Sequence, residues 1–393
     1  MAHILFIYKQ FPSPSVGHAG GESLFQLMAG LHRRGHRLSL VARILDEERD
    51  QLPAVDALCD HVHTVPHHRA MDGPPPLNVL RSYVSLRRAA ARVIREQRPD
   101  LVHVETTQTA ITLLGLRMPP ASLRTQDVNW FLQEQRAARS AGLARLDARI
   151  KHALYRWLEP ALYRRYALLL AISEGDRRLL APTRPERPLL LVPLAPALHP
   201  DPAIAPAVAP GPTLLFVGAM YRDHNIAGAT WFLDHVWPRV LREVPDARFY
   251  VVGNRPPPAL RARAEGERVN VTGFVPDLAP WYRAAAIFVA PMLVAGGLLQ
   301  KVVDAMAMGV PVVATSSCNH GLGATPGRHL ITADAPEAFA AEVARLLRAP
   351  DARAAIGAAG QAFIRARYDP EAAIDRWDAA LRELAEGTPP RVV

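Results

Sequence analysis

Cysteine is scarce in this chain of 393 residues. Cys59 and Cys318 are the two, and their spacing does not pair them. A disulfide framework is excluded, and a reducing compartment fits. Aromatic residues make up only 7% of the chain and no nucleic-acid motif accompanies them, so the formal net charge of +9 does not mark a DNA- or RNA-binding surface. An anionic membrane surface or an acidic substrate remains as a source of that charge. Long apolar runs are missing too. The longest, residues 284–299, is broken by Pro291, Gly296 and Gly297 and falls short of the roughly 20 residues that span a bilayer. A buried strand and loop is expected there. The start of the chain is strand-like at residues 4–8, with neither a basic leader nor a cleavage site, so no signal peptide is expected. Lysine is nearly absent: Lys9, Lys151 and Lys301 stand in a chain whose cations are otherwise arginine.

What is present is apolar and alternating. Hydrophobic residues form 49% of the chain, enough to fill sizeable cores, and the length suits about two domains. Strands are expected at residues 4–8, 36–41, 101–104, 167–172 and 189–192. A helix carries Leu24, Leu27, Met28 and Leu31 on one face and ends near Gly35. Ser173 marks a further helix start. Residues 199–212 are rich in proline and alanine and are expected to be a linker. The pattern then begins afresh, with strands at 213–218, 247–253, 269–273, 287–291 and 310–314 and a helix at 226–241. Alternating strands and helices imply parallel sheets covered on both faces. The expected fold class is therefore α/β, two Rossmann-like domains with parallel sheets facing across a cleft. The expected domains are 1–198, completed by a C-terminal helix in 371–393, and 213–370.

The most informative stretch runs from Pro291 to Thr315. Gly296 and Gly297 open a helix, and a glycine pair there lets backbone N–H groups approach an anion. Lys301 follows by one turn and Asp304 by about two, so both project near the mouth of that helix. An ammonium for phosphate and a carboxylate for a ribose diol make a nucleoside diphosphate site. Tight packing is the plainer reading of the glycines, and a solvated helix face that of the two charges.

These residues resemble the donor-site signature of the GT-B glycosyltransferases, family 4-like (glycosyl transferases group 1). That family shows Lys-x-x-Glu-Ala-Met-Ala-x-Gly-x-Pro-Val-Val-x-Thr, and Lys301 to Thr315 matches it with Asp304 in place of the glutamate. Leu27 to His36, after the Gly20-Gly21 loop, resembles the start of the acceptor domain. Thr272-Gly273-Phe274-Val275-Pro276-Asp277 is similar to its base-binding turn. The resemblance implies the GT-B fold and a retaining transferase without metal or other cofactor. Such an enzyme moves a hexose from a nucleotide diphosphate sugar to a glycan or lipid-linked acceptor in polysaccharide or glycoconjugate biosynthesis. Lys301 and the N–H groups of Gly297, Leu298 and Leu299 would face the diphosphate, Asp304 the ribose, and Gly218, Phe274 and Gly296 would line the donor. Arg222 is the available charge after the first strand of the donor domain. Gly20 and Gly21 bind phosphate or acceptor, or form a simple strand-to-helix turn. Asp127 touches substrate, or caps a turn.

The chain also departs from the family pattern. Gly296 replaces a glutamate, Leu298, Leu299 and Gln300 replace a subgroup's Thr-Arg-Leu, and the donor domain lacks the Gly-Arg and lysine pair. Asn225 matches that subgroup's asparagine. Gln126 and Asn129 stand where a histidine and a glutamate are usual. A nucleotide-sugar epimerase and a catalytically silent glycan-binding or scaffold protein are the alternatives. Cys59, Asp60, His61, His63, His67 and His68 do not have metal-finger spacing, and a solvated strand is expected. Residues 136–165 carry eight arginines and lysines against Asp147 and Glu159. Leu143, Leu146, Ile150, Leu154, Trp157 and Leu158 form an apolar stripe along this helical region. It packs on its sheet, or lies at an anionic membrane surface. The expected location is cytoplasmic, with a peripheral contact at the inner membrane face.

Overall fold

The computed structural model describes residues 1–14, 19–67, 75–184, 186–264 and 266–388. His68, named above, lies outside the described residues. The chain divides into two compact units, Met1–Leu194 with Pro370–Val393, and Ala195–Asp369.

The first unit holds β1 (His3–Tyr8), β2 (Arg37–Ile44), β3 (His61–Pro66), β4 (Leu101–Glu105), β5 (Ala121–Thr125), β6 (Leu168–Ala171) and β7 (Leu189–Leu191). They form one parallel sheet in the order β3-β2-β1-β4-β5-β6-β7. Apolar runs such as Ile4 to Tyr8 are buried on both faces, as helices covering a parallel sheet require. Leu24, Leu27, Met28 and Leu31 of the helix Ala19–Arg33 enter that core. The helix Pro370–Ala385 joins it through Ile374, Trp377, Leu381 and Leu384. Gly30 lets the two helices touch, since a Cβ there would lie 2.5 Å from Ile374.

The second unit holds β8 (Thr213–Val217), β9 (Arg248–Val252), β10 (Val269–Gly273), β11 (Ile287–Ala290), β12 (Val312–Ala314) and β13 (Ile331–Thr332). These are also parallel, in the order β10-β9-β8-β11-β12-β13. In each sheet the strand order reverses beside the first strand, between β1 and β4 and between β8 and β11. Ligands of open α/β sheets bind outside the strand C-termini at such a switch point. Residues 199–212 contain neither helix nor strand and belong to this unit.

Two helices differ from expectation. The one expected at 226–241 is Asp223–Trp231, a π-helical turn Phe232–Val236, then Trp237–Glu243. Pro238 has no N–H to donate, and the ladder widens just before it. The basic region is not one helix but two, Asn129–Arg139 and Gly142–Tyr163, separated by an extended Ser140 and Ala141. Its stripe is not packed on the sheet. Leu143 is 85% exposed and Trp157 74%, with Leu146, Ile150 and Leu154 all above half. The buried face of that helix is instead Ala148, Glu159, Leu162 and Tyr163. Among the described residues no helix is long and apolar enough to cross a membrane.

Candidate active site

The donor-side residues gather where β8 and β11 end. After β8 the chain makes a tight approach at Gly218, where a Cβ would sit 2.8 Å from Asn225 Nδ2 and 3.0 Å from Lys301 Nζ. Arg222 is the exposed residue preceding the helix Asp223–Trp231. Asn225, one turn in, is buried and donates through Nδ2 to the Ala219 carbonyl at 3.0 Å. After β11 the loop through Gly296 and Gly297 leads to the helix Gln300–Ala307. Gly297 has φ +59°, in the left-handed region that glycine tolerates. Its carbonyl lies against Gly321, where a Cβ would fall 1.7 Å away. Leu298 is buried, and Leu299 precedes the helix with extended backbone and no side-chain cap. Among the described residues no acceptor bonds the N–H groups of Leu298 and Leu299.

Lys301 is partly buried as a residue, but its ammonium is enclosed. Nζ donates to Asn225 Oδ1 at 2.6 Å, lies 3.7 Å from Met292 Sδ and sits 4.4 Å from the Phe216 ring centre. It forms no ion pair with a carboxylate among the described residues. Burial pushes its pKa down to about 7; Cys318 opposes that shift and the charge of Arg222 adds to it. Cys318, itself pushed up by burial, donates to the Ala290 carbonyl at 3.3 Å. Thr315 and Ser317 hydroxyls both donate to the Met292 carbonyl at 2.6 Å and pin the end of the β11 loop.

Asp304 does not join Lys301. It is 5% exposed, and Oδ1 accepts from the Ala197 N–H at 2.8 Å and from Gln300 Nε2 at 2.9 Å. Phe274 stands 74% exposed just after β10.

In the first unit, Gly20 faces Gln126, with a would-be Cβ 2.5 Å from Nε2. Gly21 lies in the same helix, and Asp127 is partly buried in the loop after β5. Behind them sits a network that the sequence reading missed. Glu105 is fully buried, accepts from Arg124 Nε at 2.9 and 3.1 Å and from Gln126 Nε2 at 2.8 Å, and bonds His103 at 3.1 Å. Burial raises the Glu105 pKa, but Arg124, His103 and Gln126 outweigh it and hold the carboxyl below its usual range. Burial pushes the His103 pKa down, against the pull of Glu105. The available signal was the alternation of His103 and Glu105 on one face of an otherwise apolar strand. Asn129 has its own buried partner, Glu159, at 2.6 Å. Glu159 also accepts from the N–H groups of Asn129 and Trp130, so it caps that helix and is not a surface charge. His63 bonds Arg92 and Asp60 pairs with Arg37. Among the described residues no group of three or more His, Cys, Asp or Glu is placed to hold a metal ion.

Two parallel sheets, each doubly wound, define the GT-B fold class, and solved structures agree. Sucrose-phosphate synthase from Thermosynechococcus elongatus superposes with a TM-score of 0.77 at 15% identity, covering 99% of this chain and 100% of that one. The Anabaena protein HepE, in complex with UDP and glucose, gives 0.68 at 14%, covering 98% and 100%. The family profile described as "Glycosyl transferases group 1" matches residues 211–349, and that described as "Glycosyl transferase 4-like domain" matches residues 20–195. The chain belongs to the group 1 glycosyltransferases. An uncharacterized 44.6 kDa protein in the cps region of Klebsiella pneumoniae is 29% identical over 168 residues, a match spanning 40% of this chain and 42% of that protein.

Proposed function

We propose that the protein is a retaining, metal-independent transferase that moves a hexose from a nucleoside diphosphate sugar to a hydroxyl of a glycan or lipid-linked acceptor. The observation that carries this reading is Lys301, an enclosed ammonium that, among the described residues, has no carboxylate partner and stands beside helix-mouth N–H groups with no acceptor. As the bond from the anomeric carbon to the diphosphate breaks, its electron pair goes to the leaving oxygen. Lys301 and the amides of Leu298 and Leu299 neutralise that developing charge, which is the role a metal fills elsewhere. Arg222 adds long-range positive charge, and Asp127 is assigned to the acceptor. Phe274 and Gly218 are assigned to the nucleoside and the phosphates. The complexes of HepE with UDP and with UDP-glucose make uridine nucleotide sugars the first donors to try.

The same reading puts the enzyme in the cytoplasm at the inner face of a membrane, supported by the exposed stripe of the helix Gly142–Tyr163 and its basic flanks. A thermal-shift screen of nucleotide sugars tests the donor site. A ligand at 100 times its Kd adds about 2.7 kcal/mol of stability. Transfer assays on the ligands found then follow. The epimeric sugar formed without acceptor identifies an epimerase, and binding without turnover identifies a silent glycan-binding protein. Activity is expected to survive excess chelator; loss restored by Mg²⁺ or Mn²⁺ contradicts the metal-free mechanism.

A further inference from the structure

The first unit has a second concavity, at the end of its sheet away from the Glu105–Gln126 network. A cavity of about 550 Å³ opens where β5, β6 and β7 begin, a size typical of small-molecule sites. Its floor includes the buried Leu113, Leu162 and Tyr166, and its exposed rim carries Arg117, Arg165 and Arg187. Among the described residues no carboxylate lines it.

Two further arginines back the cavity wall. Arg87 donates to the carbonyls of Thr112 and Leu114, at 3.0 and 2.7 Å. Arg184 is only 3% exposed and donates to the carbonyls of Tyr163, Tyr166 and Ala167, at 3.2, 3.2 and 3.3 Å. Its Nε has no partner among the described residues. None of these five arginines forms an ion pair among the described residues, in a protein whose other arginines repeatedly do. An uncompensated buried cation is costly, and burial together with the charge of Arg187 pushes the Arg184 pKa down to about 10. Arg184 is not itself in the lining; an anion held on the rim by Arg187 offsets the charge that bears on it through space. Guanidinium groups match phosphate oxygens in bidentate geometry, and several converging favour a phosphate over a single carboxylate. The apolar floor adds a requirement that free phosphate does not meet.

We infer that this cavity binds a phosphate monoester or diphosphate carried on an apolar chain, with Arg165 and Arg187 on the phosphate and Leu113 and Leu162 against the chain. The site is separate from the donor-side residues and does not depend on the transferase reading. Calorimetric titration of the full chain tests it, in a Lys301→Ala background so that the anion site of the other unit does not contribute. The ligands are dodecyl phosphate below its micelle concentration and inorganic pyrophosphate. Dodecyl phosphate is expected to bind at least tenfold more tightly than pyrophosphate. Arg165→Glu/Arg187→Glu is expected to weaken it at least tenfold with an unchanged melting temperature, since both side chains are exposed. A Leu146→Ser/Ile150→Ser/Leu154→Ser variant, altered only on the outer stripe, is expected to bind as before. The inference is overturned if dodecyl phosphate does not bind, if the arginine variant binds like its parent, or if the stripe variant is the one that loses binding. Equal affinity for pyrophosphate removes the apolar chain from the ligand and overturns the assignment as well.

Discussion

Lys301 is held near its own titration point, and this gives it a testable signature. A free-state pKa of about 7 means that a diphosphate, which prefers the ammonium, must draw in a proton above that pH. Affinity for a nucleoside diphosphate is therefore expected to fall by up to tenfold per pH unit above about 7 and to flatten below it, measured by calorimetry in buffers of different ionisation enthalpy. The linkage to folding has the opposite sign. The unfolded chain holds this proton up to the ordinary lysine range while the folded one releases it near 7, so this group's contribution to stability rises with pH across that interval. Lys301→Ala is expected to abolish the pH dependence of binding and to slow transfer roughly 100-fold, the loss of one electrostatic donor; wild-type kinetics in that variant remove Lys301 from the site. Asp304 has two separable expectations. Losing its bond to the Ala197 N–H costs about 1–3 kcal/mol of stability on Asp304→Ala, whereas Asp304→Asn keeps an acceptor oxygen. A donor KM raised by both substitutions assigns the carboxylate to ribose; a KM unchanged in the asparagine variant leaves it as an anchor. Lys301 was legible in the sequence because a glycine pair and a lysine one turn later specify a helix mouth. The partner of Asp304 was not, because Ala197 lies 107 residues away and is met only through the fold.

Among the elements, the helix Gly142–Tyr163 carries the sharpest expectation. Its apolar period was legible, but periodicity identifies a face without saying what covers it. Ala148, Leu162 and Tyr163 pack inward, and Leu143, Leu146, Ile150, Leu154 and Trp157 are left outside. With Glu159 buried as a cap, Asp147 is the acid left on the helix surface, and it pairs with Lys151 at 2.7 Å. Each cation near an anionic surface contributes about 1 kcal/mol, screened over a Debye length of about 8 Å at physiological salt. Sedimentation with anionic vesicles is expected to fall as salt rises, with neutral vesicles binding poorly. Arg145→Glu/Arg149→Glu should lose the anionic binding, and Trp157 fluorescence should shift to the blue only with wild type. Wild-type protein that ignores anionic vesicles at low salt sinks the membrane reading. Strands with continuous apolar runs, such as β1 and β8, were legible because helix-covered parallel strands are mostly apolar, whereas β5, interrupted by Ser122, Arg124 and Thr125, and the two-residue β13 were not. The π-helical turn before Pro238 was not legible, since proline marks a break without specifying how the ladder accommodates it.

At the scale of the whole molecule, the first unit is closed by a segment distant in sequence. His36 and Asp378 are bonded at 2.5 Å, and Arg34 pairs with Asp375 and Glu371. Burial works against the charged form of Asp378, but its bonds to His36 and Arg382 outweigh it and lower its pKa. Its contribution to stability is present above the ordinary carboxylate range and is lost as pH falls through it. Removing residues 370–393 uncovers Leu31, Met28 and their neighbours and is expected to leave a chain that aggregates while 195–369 stays folded, read by limited proteolysis and soluble yield. Closure by a distant helix also has a consequence during synthesis. All seven strands of the first sheet leave the ribosome before Ala195, yet the helix bearing Trp377 follows only after the whole second unit. At about 5–20 residues per second, the groove awaiting Trp377 stays open for roughly ten to thirty-five seconds. The second unit, continuous in sequence, can be complete by then. The nascent chain thus finishes its second half before its first, and the exposed groove is where a chaperone is expected to act.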